Sequence, residues 1–209
     1  MSILNSLSSS LGKRGNETEV ALAKEIAADE NRSAIKELAA NLKNKNKKIQ
    51  SDCLKVLYEI GYLKPELIAE YYDDFLELLT SKNNRLVWGA MIALMTITDL
   101  KHEEIFNSLN LLSKTIENGS VITIDCGVGI LAKLNIHKKY SSQAEPLLIE
   151  QLKICPIKQL PQYMEKSLIC ITQNNKETFR AIIDSRIAEC GKDSQKKRLQ
   201  QVLKQIENI

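Results

Sequence analysis

The chain has 209 residues, enough for one sizeable domain or two small ones. Its eight glycines and four prolines are about half the average share of roughly 12%, too few for the closely spaced turns of sandwiches, barrels or doubly wound sheets. A hydrophobic content of 44% excludes disorder, and a net charge of +3 falls short of a dedicated nucleic-acid domain.

In chain order, Ile3, Leu4, Leu7 and Leu11 stand at helical spacing, so 1–15 is read as an N-terminal segment with a short capping helix. From 16 to 209 the chain reads as one all-α domain of paired helices. The first pair covers 16–28 and 31–43, and Asn16 with Glu19 forms an N-x-x-E capping signal. The second covers 47–60, ended by Gly61, and 65–80, opened by Pro65. The third covers 84–98 and 102–117. The fourth covers 120–135 and 139–153, where Pro146 either bends the helix or delays its start to Ser142. The fifth covers 160–172 and 175–190, ended by Gly191, and a lone helix at 194–207 closes the chain.

These pairs recur every 37 residues. Leu57, Leu94, Leu131 and Leu168 form one column, with Val20 one step before it. Ala23, Ile60, Ile97, Leu134 and Ile171 form a second. Ile35, Tyr72, Leu109, Pro146 and Ile183 form a third. Leu38, Phe75, Leu112 and Ile149 form a fourth, failing at Arg186. Leu42, Leu79 and Ile116 form a fifth, failing at Lys153 and recovering at Cys190. A single helix pair cannot bury both its faces, and stacked pairs can. The expected architecture is therefore a right-handed α-α superhelix of about five helix pairs. The last helix would cap it, with Leu199, Val202, Leu203 and Ile206 inward and Lys192, Lys196, Lys197, Arg198 and Lys204 outward. Gly89, Gly127 and Gly129 fall inside leading helices, and Gly127 shares a column with Cys53 and Ala90, which implies close helix packing.

The stretch Phe75-Leu76-Glu77-Leu78-Leu79-Thr80-Ser81-Lys82-Asn83-Asn84-Arg85-Leu86-Val87-Trp88-Gly89-Ala90 resembles the junction between HEAT repeats. A leucine-rich helix end, a short polar turn and a small-residue helix follow one another there. Leu38 to Ile60 reads similarly, with Leu42, Ile49, Cys53, Val56 and Leu57. The usual Asp of the turn is missing, and Trp88 stands where an Arg is usual, so the resemblance is to a divergent HEAT or armadillo-like solenoid covering about 16–190. It implies a non-catalytic binding scaffold whose trailing helices line the concave face. On that face the register predicts columns of Ser33, Glu70, Asn107, Ala144 and Ala181; of Lys36, Asp73, Asn110, Leu147 and Asp184; and of Ala40, Glu77, Lys114, Gln151 and Ala188. The candidate partner-binding residues are Glu70, Asp73, Asp74, Glu77, Asn107, Asn110, Lys114 and Gln151, for a protein or peptide partner.

Lys43, Lys45, Lys47 and Lys48 crowd one turn and are candidates for contacting phosphates. No aromatic is interleaved with them in the sequence for base stacking. The alternative reading is a HEAT-like nucleic-acid binder or an alkylpurine glycosylase-like base-repair enzyme. That enzyme needs an acid and several aromatics in a basic groove, and this chain has one tryptophan, Trp88, read as packing on the leading-helix side.

Other chemistry is thin. His102 and His137 have no second ligand at metal spacing, and no catalytic residue, metal or cofactor is assigned. Cys53, Cys126, Cys155, Cys170 and Cys190 are odd in number and widely spaced, which fits reduced thiols. No apolar run reaches the roughly 18–20 residues of a membrane span, and the N-terminus is a poor signal peptide, so a cytoplasmic protein without membrane contact is expected.

Overall fold

A computed structural model describes residues 2–13, 15 and 17–209. Asn16, half of the expected capping signal, lies outside them. Two compact units divide the chain, Met1–Cys126 and Gly127–Ile209.

The first unit opens with a 3-10 turn, Ile3–Ser6, and a four-residue helix, α1 (Ser8–Leu11), which ends at Gly12 in the left-handed region with φ 64°. Next come α2 (Glu17–Ala28) and α3 (Arg32–Ala40), the latter capped by the Asn31 side chain and followed by a 3-10 turn at Asn41–Lys43. The next leading helix, α4, runs Lys47–Leu63, past Gly61. Gly61 thus does not end the helix. It lets α4 approach the next leading helix, because a Cβ there would fall 3.1 Å from Thr96 Cβ and 2.8 Å from Ile68 Cδ1.

The trailing helix after α4 is broken into 3-10 turns at Pro65–Leu67 and Ala69–Tyr71 before α5 (Tyr72–Leu78). The next pair is α6 (Asn84–Ile97) and a trailing helix split at Ser108 into α7 (His102–Asn107) and α8 (Leu109–Glu117). Tyr72 of α5 reaches this break, where its hydroxyl donates to Glu104 O at 2.8 Å and shares a 2.6 Å hydrogen bond with Ser108 Oγ. Helix α9 (Val121–Asn135) crosses the boundary between the units.

In the second unit, α10 runs unbroken over Lys138–Ile154 with Pro146 inside it, so the later start at Ser142 does not occur. Helix α11 (Leu160–Ser167) continues as a 3-10 turn, Leu168–Cys170, and α12 (Lys176–Arg186) as another, Ile187–Glu189. Glu145 ties three elements together, accepting from Asn135 Nδ2 at 3.2 Å and Asn175 Nδ2 at 2.6 Å. The last helix, α13 (Asp193–Glu207), buries Leu199, Val202 and Ile206 against α11 and α12. Arg198 clamps it to Glu165 through two hydrogen bonds of 2.7 and 2.6 Å.

Burial follows the repeat register. Ala23, Ile60, Ile97, Leu134 and Ile171 are all buried. Where an apolar column fails in sequence, the position is not buried: Lys153 is exposed and Arg186 partly covered; Pro146, counted within its column, is exposed as well.

Candidate functional site

Two surfaces of the first unit carry the candidate side chains. The trailing-helix face carries Glu70, Asp73, Glu77, Asn107, Asn110 and Lys114, all exposed, and Asp74, partly covered. Arg32 pairs with Glu70 at 3.8 Å and Lys43 with Glu77 at 2.6 Å. Both pairs lie in solvent, so each is weak and readily exchanged. In the second unit Gln151 is partly covered, and Ala144, predicted to lie in a column of the concave face, is fully buried. A separate groove of about 780 Å³ there is lined by Lys153, Ala181, Ser185, Arg186 and Glu189, among others.

The second surface lies on the leading helices. An open cleft of about 840 Å³ is walled by the N-terminal segment and by the first turns of α4 and α6. The N-terminal segment is held there by two carboxylates. Glu19 is buried and accepts from the Ser8 backbone N–H at 2.9 Å. Asp52 accepts from the Ser9 N–H at 3.0 Å and from Ser8 Oγ at 3.4 Å. Asn46 and Asn83 cap α4 and α6 through the N–H groups of Lys48 and Arg85.

Lys13, Lys47, Lys48, Lys55 and Arg85 surround this cleft, with Tyr58 and Trp88 in its wall. The two rings meet at 6.1 Å and 55°. Burial pushes the Tyr58 hydroxyl above its ordinary range, so the ring stays neutral. Trp88 is only partly covered and leaves part of its indole to the cleft. The four lysines of the turn are thereby separated: Lys47 and Lys48 line the cleft, Lys43 is turned to Glu77, and Lys45 is exposed elsewhere.

Sequence reasoning missed Lys13, Lys55, Tyr58 and Arg85. A signal existed for part of the set. Lys48 and Arg85 are 37 apart, as are Ser51 and Trp88, so the cleft repeats the register on the polar side of the leading helices.

Among the described residues no group of three or more His, Cys, Asp or Glu could hold a metal ion, and no helix is long and apolar enough to cross a membrane. All five cysteines are buried free thiols.

The fold is a divergent armadillo/HEAT-like α-solenoid with a capping helix. The chain is similar over 98% of its length to a computationally designed armadillo repeat protein for modular peptide recognition, at 13% identity and TM-score 0.65, covering 90% of that chain. A designed armadillo repeat protein in complex with the peptide (KR)4 matches over 98% of this chain and 89% of its own, at 13% identity and TM-score 0.63. The crystal structure of an engineered protein matches all of this chain and 98% of its own, at 17% identity and TM-score 0.64. No protein-family model and no curated protein matches.

Proposed function

We propose that this chain is a non-catalytic interaction scaffold that takes a basic segment of a protein or peptide partner on its trailing-helix face. The observation that carries this reading is the exposed ridge of Glu70, Asp73 and Glu77, which continues in register to Asn107, Asn110 and Lys114. Carboxylates spaced along α5 and the turn before it complement a chain of lysines and arginines. The likeness to a designed repeat protein that holds (KR)4 supports the same partner chemistry. The weak pairs to Arg32 and Lys43 would be exchanged for the partner's cations.

The base-repair alternative requires a free carboxylate beside the aromatics of a basic groove. Glu19 and Asp52, the two carboxylates of the leading-helix cleft, are both engaged by backbone N–H groups of the N-terminal segment. That engagement favours the non-catalytic reading.

The test is a binding titration of fluorescent (KR)4 peptide. The intact chain should bind it, and Asp73→Lys with Glu77→Lys should weaken binding at least tenfold. Lys47→Glu with Lys48→Glu, on the other surface, should leave that loss absent. Peptide binding indifferent to Asp73 and Glu77 would overturn the proposal.

A further inference from the structure

The leading-helix cleft has a charge arrangement that folding alone disfavours. Helix N-termini carry positive partial charge and favour acidic side chains. Neither α4 nor α6 has an acid in its first turn. Lys47 and Lys48 open α4, and Arg85 opens α6. Lys13 and Lys55 add two more cations, and none of the five is ion-paired among the described residues. Two positive helix ends and five cations therefore line a cleft that holds only two carboxylates among the described residues, an excess of positive charge. The nearby carboxylates, Glu19 and Asp52, are turned to the backbone of the N-terminal segment. An anion bound in the cleft removes this repulsion.

The cleft also offers an aromatic surface. Trp88 faces it from α6, backed by Tyr58 of α4. Ser8 and Ser9 of the N-terminal segment line the same cleft. We propose that the cleft of residues 8–88 binds single-stranded nucleic acid, with a base stacked on Trp88 and the adjoining phosphates held by Lys47, Lys48, Lys55 and Arg85. The cations outnumber what one phosphate can use, which favours a polymer over a mononucleotide. The indole requires an open base face, which a single strand presents and a duplex hides. An acidic peptide satisfies the cations but has no ring system to place on Trp88. This site is separate from the acidic trailing-helix ridge and does not depend on it.

Trp88 is the chain's one tryptophan, so its fluorescence reports on the cleft alone. The experiment titrates the full chain with twelve-nucleotide oligo-dT and oligo-rU, a duplex of the same length, and poly-glutamate. The single strands should quench Trp88, and their affinity should fall with salt at a log–log slope of about −0.7 for each phosphate contacted. Lys47→Glu with Lys48→Glu should weaken binding more than tenfold and flatten that slope. Both positions are exposed, and a melting curve verifies that the fold is kept. Trp88→Phe should retain much of the affinity and Trp88→Ala lose about tenfold. Absence of quenching at low salt overturns the proposal, as does binding indifferent to the lysine variant. Equal binding of poly-glutamate overturns it in favour of an acidic protein segment, and tighter binding of the duplex overturns the stacking role.

Discussion

Gly61 and Gly89 both lie inside leading helices, yet an added methyl group meets a different obstacle at each. At Gly61 it meets Thr96, whose hydroxyl is tied to Ala93 O at 2.7 Å, so the neighbour cannot swing aside. Gly61→Ala should destabilise the chain by about 1–3 kcal/mol in urea unfolding, because overpacking exceeds the roughly 1 kcal/mol gained in helix propensity. At Gly89 the added carbon meets the terminal Cδ2 of Leu54 at 2.7 Å, a side chain beside the open cleft. Gly89→Ala should therefore cost less than Gly61→Ala, and the reverse order would refute the close-approach account. The cysteines obey the same packing. Burial raises the Cys53 thiol to about 12 and the Cys170 thiol to about 11. Burial raises Cys155 too, against the opposing pull of the Arg186 guanidinium. The thiolate is the reactive form, so a disulfide reagent at pH 8 should react slowly with the folded chain and label all five thiols in denaturant. Rapid labelling of the native chain would contradict this burial.

Helix α10 runs through Pro146 although proline removes the N–H that would bond to the Ser142 carbonyl. Its interior faces explain why: Tyr140, Ala144, Leu148 and Leu152 are buried, while Pro146 itself is exposed. Packing on one side outweighs a backbone penalty on the other. Pro146→Ala restores the hydrogen bond and should stabilise the chain by about 1–3 kcal/mol, raising Tm. An unchanged or lowered Tm would mean that the proline ring packs in some essential way.

This helix also illustrates how far the repeats were legible. The 37-residue register located every leading helix, because the column of Ala23, Ile60, Ile97, Leu134 and Ile171 is buried throughout, although Val20 and Leu168 of the neighbouring column are only partly covered. Trailing helices were less legible. The breaks near Ile68 and at Ser108 satisfy their backbone through 3-10 bonds and through the Tyr72 hydroxyl, which comes from a neighbouring repeat. Such a contact has no signature in local periodicity. The cleft was legible only in part for the same reason. Lys48, Arg85, Ser51 and Trp88 obey the register, whereas Lys13 belongs to the N-terminal segment outside it. Lys47 and Lys48 lack an aromatic neighbour in sequence, yet the third dimension brings Trp88 and Tyr58 into the same wall.

A repeat protein is stabilised by each repeat and by its contacts with the next. Several exposed ion pairs here join residues about one repeat apart: Glu30 to Lys64 at 2.6 Å, Lys43 to Glu77 at 2.6 Å, and Arg198 to Glu165 at 2.6 Å. The Lys64 ammonium holds the Glu30 carboxyl below its ordinary value of 4.5. The Ser2 hydroxyl and the Ile3 N–H do the same for Glu37, as Lys101 does for Glu104 and Arg186 for Glu189. A carboxyl with a lowered folded pKa adds stability above its unfolded value and loses it as pH falls through the folded value. Tm should therefore stay nearly level from pH 7 to about 5 and decline as pH drops below the ordinary 4.5. The pairs are exposed, so molar salt should lower the neutral-pH Tm only slightly. Glu37 is different, because its partners are a hydroxyl and a backbone N–H, which salt does not screen as it does an ion pair. Glu37→Gln should loosen the N-terminal turn at any ionic strength, read as faster hydrogen exchange at Ile3. It should also remove part of the acid limb of the Tm curve. A Tm that rises as pH falls from 7 to 4 would show that carboxylate repulsion, not these contacts, governs the molecule's response to acid.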